Sequence, residues 1–215
     1  MPNTYILYES IDAISSIVYR QCMQRLPHDV RESIESYIHE KDRKSRLLGK
    51  LLLQEGLQIL QVSPSWMYQI KKTVLNRPVI SAPIDFNISH SGRLVVCVVS
   101  NECKVGIDVE QYQKLNLLPY RSCCTHSEWT ALTLSPDPWK SFIELWTIKE
   151  SVSKAEGLGL QMPFNRIRVE NGIVVSDKNN KWYTKKILLD TAYACTLAHH
   201  VPQINLKISK SQFQQ

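Results

Sequence analysis

The strongest constraint on the fold lies between Ile84 and Glu110, where three strand-like segments follow one another with only short turns between them. In "IDFNIS", Ile84, Phe86 and Ile88 alternate with Asp85, Asn87 and Ser89, which is strand periodicity. "LVVCVVS" is a continuous apolar run, suited to a buried strand. "VGIDVE" alternates again, and "HSG" and "NECK" read as the intervening turns. The middle of the chain is therefore committed to sheet.

Helix and strand signals flank this segment. Residues 4–9 read as a short first strand, and from about Pro27 to Leu60 the pattern is helical. Leu47, Leu48, Leu51 and Leu52, with Ile59 and Leu60, recur at three- and four-residue spacing. Residues 67–75 suit a strand or an extended connection. "QYQKLNLLPYRSCC" is irregular or helical. A long helix is expected from about Pro138 to Glu156, with Gly157 as its stop signal. Strand-like pieces follow at about 166–175, 182–188 and 192–200, with turn chemistry at "EN-G" and "DKNNK". Each half carries helices and then strands, which suggests a duplicated α+β unit, although no residue-level repeat joins the halves. A length of 215 residues suits one compact unit or two small, intimate halves.

The apolar fraction of 43% is that of an ordinary globular protein and excludes disordered and fibrous classes. The opening "MPNTYILYES" does not read as a signal peptide. The longest apolar run falls far short of the ~20 residues that span a bilayer. Cys22, Cys97, Cys103, Cys123, Cys124 and Cys195 form no C-x-x-C pair and no zinc-site spacing, so they are expected as reduced thiols in a cytoplasmic protein. The net charge of +6 suits an anionic partner. The closest thing to a basic run, "EKDRKSR", is mixed in sign, and the aromatics do not interleave with arginines. Both points argue against nucleic-acid binding.

Three short stretches hold candidate chemistry. In a strand, residues two apart share a face, so Val105, Ile107 and Val109 would pack while Gly106, Asp108 and Glu110 face the other way. Two neighbouring carboxylates repel unless a cation sits between them. A hard divalent ion such as Mg²⁺ takes oxygen ligands of this kind, and the glycine would leave room for a ligand. The ordinary alternative is an edge strand with a solvated polar face. On the long helix, Glu150 and Lys154 lie four apart on one face, at the edge of an arc formed by Phe142, Leu145, Trp146 and Val152. They read either as a simple ion pair or as a third metal carboxylate with a phosphate-facing lysine. Lys149 falls inside the apolar arc, which predicts a snorkelling contact or a partner between the halves. Finally, "FNISHSG" places Ser89, His90, Ser91 and Gly92 in an anion-friendly turn, although a lone histidine there is commonly structural. Arg46 and Arg77 are, by themselves, ordinary surface arginines.

Taken together, "FNISHSG", "VGIDVE" and "FIELWTIKESVSKAEGLGL", in that order and spacing, resemble the 4′-phosphopantetheinyl transferases of the larger, single-chain type. Both the G-[IV]-D-[IV]-E and the W-[ST]-x-K-E-[SA]-x-x-K patterns are present, and the resemblance spans roughly residues 40–165. It implies two similar α+β halves related by a pseudo-twofold, with the active site between them. Residues 1–103 would form the coenzyme A nucleotide side. Residues 104–215 would carry the metal ligands, the catalytic helix and the carrier-docking surface. The implied reaction moves the phosphopantetheine arm of coenzyme A onto a serine of an acyl, peptidyl or aryl carrier protein and releases adenosine 3′,5′-bisphosphate.

Carried over by motif, Asp108, Glu110 and Glu150 would hold Mg²⁺, and Lys154 would contact the phosphate oxygens and assist the leaving group. Ser89 and His90 would bind near the 3′-phosphate, with Arg46 and Arg77 as further nucleotide or phosphate contacts. Glu150 is also the candidate base, directly or through a metal-bound water. Aligning on "LLG" puts Val30 and Ser33 where the family often has basic residues, with Arg31 or Arg25 as possible substitutes. An acidic carrier protein would be steered to a basic enzyme, and Leu117, Leu118, Tyr120 and Arg121 are the expected docking surface. A monomer is expected, with no nucleic acid and no membrane as partner. The competing reading is a catalytically silent relative that only binds carrier protein or coenzyme A. Four intact site residues argue against it.

Overall fold

The computed structural model describes residues 1–63, 65, 69–170 and 172–211. In chain order, the first half holds β1 (Asn3–Ser10), α1 (Ser16–Gln24), α2 (His28–Glu35), α3 (Glu40–Ile59), a two-stranded ribbon of β2 (Lys71–Lys72) and β3 (Pro78–Val79), β4 (Ile84–Ser91) and β5 (Leu94–Asn101). The second half holds β6 (Val105–Gln111), a 3₁₀ segment Leu118–Cys123, α4 (His126–Thr133), α5 (Pro138–Glu156), β7 (Arg168–Glu170), β8 (Ile173–Val175), β9 (Lys181–Lys186) and β10 (Tyr193–His199). β11 (Asn205–Lys210) is the last strand of the described residues.

The sheets run β11-β1-β5-β4 and β6-β10-β9-β8-β7. Within each, the first strand of the half pairs antiparallel with the last, Ile6 opposite Val98 and Asp108 opposite Thr196. In each, a long helix precedes the closing pair of strands. The halves thus repeat one order of elements, as the expectation of two related α+β halves required. β11 runs parallel to β1, so a division of the chain at 103/104 needs one correction: this last strand belongs to the first sheet. Its signal in the sequence is short, only Leu206 and Ile208 alternating with Asn205, Lys207 and Ser209, and the strand was not anticipated.

β5 is apolar from Leu94 to Val99 because both its faces are buried there. Val95, Cys97 and Val99 pack against α3, while Leu94, Val96 and Val98 meet Val105, Ile107 and Val109 of β6 between the two sheets. The long helical pattern from Pro27 is in fact two helices broken over residues 36–39, and α1 and α4 were not anticipated. Of the ambiguous stretch 67–75, residues 67 and 68 lie outside the described residues, and only Lys71–Lys72 is strand. The piece expected at 166–175 contains β7 paired antiparallel with β8, and residue 171 lies outside the described residues. The stop at Gly157 holds: its backbone is left-handed (φ 76°), and its amide and that of Leu158 bond the carbonyls of Lys154 and Ser153.

Among the described residues no helix is long and apolar enough to cross a membrane. All six cysteines are free thiols.

Candidate active site at the seam between the halves

The edge of β4 meets the edge of β6, and the candidate residues gather along this seam. β4 runs to Ser91, so His90 and Ser91 sit in the strand, and the turn begins at Gly92 (φ 56°). The expected "HSG" turn lies later than the sequence suggested. β6 orients its residues as its alternation predicted. Val105, Ile107 and Val109 are fully buried in the intersheet core, and Asp108 and Glu110 face the seam. Gly106 does not leave space for a ligand. A Cβ there would collide with the Ser151 carbonyl oxygen and lie 2.6 Å from the Ala155 amide nitrogen, so the glycine instead admits α5 against the strand.

α5 brings Glu150 and Lys154 to the same place. Asp108 and Glu150 are buried, at 2% and 8% exposure. The simple ion pair between Glu150 and Lys154 is not what forms among the described residues. Lys154 Nζ reaches across to Asp108 Oδ1 at 2.5 Å and to Ser89 Oγ at 2.9 Å. Burial raises the carboxyl of Glu150 above its ordinary range; Asp108 and Glu110 add to the rise and Lys154 opposes it. Glu110 is likewise raised, by burial first, against a hydrogen bond from Ser91. The charge of Asp108 thus adds to the rise at both Glu110 and Glu150, the electrostatic setting in which a cation is favoured.

The donors suit a hard divalent ion. All are carboxylate oxygens, and the buried Oδ2 of Asp108 has no hydrogen-bond partner. Among the described residues no three acidic, histidine or cysteine side chains stand as a preformed metal centre, and Lys154 supplies the positive charge against Asp108.

The other expected contacts divide. Arg46 is exposed on α3, its guanidinium 4.9 Å from the ring centroid of Tyr37. His90 stands near it: partial withdrawal from water holds the imidazole below its ordinary value, with the charges of Arg46 and Lys154 adding to this. Ser89 is buried, its hydroxyl committed to Asp108, Lys154 and the Val109 amide rather than open to a phosphate. Arg77 is also committed to protein. It bonds Asp85 Oδ2 (2.6 Å), the Val105 carbonyl (3.2 Å) and the Ala155 carbonyl, clamping α5, β4 and β6 at the far end of the seam. It borders a cavity of about 690 Å³ beside Leu75, Glu102, Lys104 and His200.

Lys149 fits neither sequence expectation. Its Nζ is buried within the second half and donates to Glu128 Oε2 (2.6 Å) and to the carbonyls of Phe164 (2.8 Å) and Cys123 (3.0 Å). Glu128 was missed because α4 was. It closes a capping box with Thr125, and the pattern T-x-x-E at 125–128 was the available signal. Lys50 was also missed: burial lowers its pKa, with Arg46 and Lys72 as neighbouring cations. Of the expected docking residues, Leu117 and Tyr120 pack into an aromatic cluster with Phe142 and Trp146, while Leu118 is 71% exposed. The exposed Arg121 lies 5.2 Å over Trp129.

Comparison with known proteins places both halves in one family. Residues 15–102 match the model of the 4′-phosphopantetheinyl transferase N-terminal domain, and residues 104–198 that of the 4′-phosphopantetheinyl transferase superfamily. The chain is 31% identical over 207 residues to the 4′-phosphopantetheinyl transferase gsp of Aneurinibacillus migulanus, covering 92% of this chain and 86% of that one. It is 28% identical over 188 residues to the 4′-phosphopantetheinyl transferase Sfp of Bacillus subtilis, covering 80% of each. A more distant relative, the L-aminoadipate-semialdehyde dehydrogenase-phosphopantetheinyl transferase of Rattus norvegicus, is 24% identical over 178 residues, 74% of this chain and 57% of that one. With both halves matched and the seam residues assembled in one place, this chain belongs to the 4′-phosphopantetheinyl transferase superfamily.

Proposed function

We propose that this protein transfers the phosphopantetheine arm of coenzyme A to a serine of an apo carrier protein, with Mg²⁺ as cofactor. The observation that carries this reading is the convergence of Asp108, Glu110, Glu150 and Lys154 at the seam. Asp108, Glu110 and Glu150 would hold the ion, which when bound supplies charge neutralisation at the pyrophosphate. Arg46 and His90, at the α3–β4 edge, would face the nucleotide, with Lys50 adding to the same cationic edge.

In the reaction the serine oxygen bonds to the β-phosphorus of coenzyme A, and the bond from that phosphorus to the bridging oxygen breaks. Adenosine 3′,5′-bisphosphate leaves. A serine hydroxyl is a weak nucleophile at neutral pH and needs a base. Glu150, its proton affinity raised by burial, is the group suited to take that proton. The ammonium of Lys154 offsets charge on the leaving oxygens. Leu118 and Arg121, exposed on the 3₁₀ segment, offer an apolar and a cationic contact to an acidic carrier.

The test is to incubate the protein with coenzyme A, Mg²⁺ and an apo carrier protein and to weigh the carrier. The expected result is a mass gain of one phosphopantetheine arm. Coenzyme A binding with no gain on any of several carriers would overturn the reading in favour of a silent relative.

A further inference from the structure

β6 is paired on its two edges by different chemistry. Along one edge it forms a backbone ladder with β10. Along the other, side chains of β4 take the place of a strand. Asp85 Oδ2 accepts from the Val105 amide (2.9 Å), Asn87 Oδ1 from Ile107 (2.9 Å), Ser89 Oγ from Val109 (3.3 Å) and Ser91 Oγ from Gln111 (3.1 Å). Each rung joins residues 20 apart in sequence. Edge amides withdrawn from water need partners, and all four of these, buried at Ile107 and Val109 and more open at Gln111, find them in the opposite half.

The rungs change chemistry along the seam. At 85 and 87 the acceptor is a carboxylate or amide oxygen. At 89 and 91 it is a hydroxyl, and only a hydroxyl can accept through oxygen while donating through the same atom. Both serines use that capacity, and both use it on the D-x-E pair. Ser89 donates to Asp108 Oδ1 (2.9 Å), and Ser91 donates to Glu110 Oε2 (2.7 Å). An aspartate at either place would accept the amide equally well, but would set oxygen against oxygen at Asp108 or Glu110. The hydroxyl of Ser89 is saturated: it also accepts from Lys154 Nζ, which fills its two acceptor positions and its one donor. The carboxylate it holds keeps its other oxygen, Oδ2, buried and without a partner.

We propose that Ser89 and Ser91 are positioning residues that hold one oxygen of Asp108 and of Glu110 across the seam, so that the second oxygen of each is presented to a divalent cation. This rests on reading Asp108 and Glu110 as cation ligands. It also makes cation binding depend on closure of the two halves, because the groups that orient the ligands come from the half that does not carry them.

The experiment measures Mn²⁺ binding to the full chain by the loss of the free-ion electron paramagnetic resonance signal, with coenzyme A present, for wild type, Ser89→Ala, Ser91→Ala and Ser91→Thr. Circular dichroism checks folding. Ser91→Ala removes one half-exposed rung of four, so the seam should stay closed. Orienting partners of metal ligands are typically worth roughly 10–100-fold in metal affinity, and a weakening of that size is expected for each alanine variant. Ser91→Thr, which keeps the hydroxyl, should bind Mn²⁺ as wild type does. Folded alanine variants with wild-type Mn²⁺ affinity would overturn the proposal, as would a Ser91→Thr variant as weak as Ser91→Ala. A wild type that binds no Mn²⁺ would overturn it together with the cation reading. Serine-dependent Mn²⁺ binding in a protein that transfers nothing would uphold this inference while sinking the proposed reaction.

Discussion

α3 and α5 hold corresponding places in the two halves, yet only α5 buries charged residues, Lys149 and Glu150, beside its apolar ones. α3 lays Leu47, Leu48, Leu52, Leu53 and Leu57 into its core, and Ser45 is its only buried polar residue. α5 buries Thr147, Lys149, Glu150, Ser151 and Ser153. Close approach to the sheet is also achieved differently. In the first half the glycine is on the helix: a Cβ at Gly56 would lie 2.8 Å from both methyls of Val99. In the second it is on the strand, at Gly106, against the backbone of α5. A duplicated frame thus fixes where the helix lies and leaves open which partner yields space and what the helix carries. The helix at the seam took the charges. The other became scaffold and contributes only Arg46 and Lys50 along its outer edge.

This division predicts where substitution hurts. The largest effect is expected on activity. Asp108→Ala and Glu150→Ala should each cut the rate of carrier modification by roughly 100-fold or more, the scale for loss of one preorganised charge at a reacting centre. Circular dichroism should be unchanged. Near-normal transfer by either variant would break the assignment of chemistry to the seam. Next comes Lys149→Met, which strands Glu128 in a largely buried position. Breaking a buried pair from one side typically costs about 3–5 kcal/mol, to be read from urea unfolding. The double variant Lys149→Met/Glu128→Gln, which removes the buried charge but keeps an acceptor for the Thr125 amide, should recover part of that loss. If the single variant is as stable as wild type, Lys149 is not the post that ties α4 and the 3₁₀ segment to α5.

The strands were legible where burial is simple. β5 reads as buried because both faces meet apolar neighbours, and β6 reads as two-faced because one side packs and the other meets the seam. The end of α5 was legible because a left-handed glycine stops it. α1 and α4 were not, because each buries a single residue, Met23 or Leu132, which leaves no stripe to count. β11 is an exposed edge strand whose alternation of Leu206 and Ile208 with polar residues is too short to announce it, and its pairing with β1 is tertiary. Residue types at the site were legible through their motifs, but their partners were not. The alternation Asp85, Asn87, Ser89, Ser91 was visible in the sequence as a polar face. Nothing local says that this face meets the amides of another strand rather than water. The same holds for Arg77, which reads as a surface cation and proves to be a clamp, and for Lys149, whose partner lies 21 residues away on a helix that local pattern did not announce.

The smallest effect should run in the opposite direction. Glu150 titrates above its ordinary value of 4.5, chiefly through burial. Between 4.5 and the raised folded value, the native state therefore holds a proton that the unfolded chain has lost. Stability then falls as pH rises through that window, and the penalty is complete above it. Below 4.5 both states are protonated and the penalty vanishes. Glu150→Gln cannot ionise, so in metal-free buffer with a chelator it should melt above wild type at pH 7.5 and level with it at pH 4. For a chain of this size each kcal/mol moves the melting temperature by roughly 2–4 °C. A difference that stays the same at both pH values would mean that shape, not charge, sets it. If the difference does follow pH, the inactive variant is the more stable one, and the cost of the site is located on α5. No residue of α3 should show the same trade, because that helix buries no carboxylate.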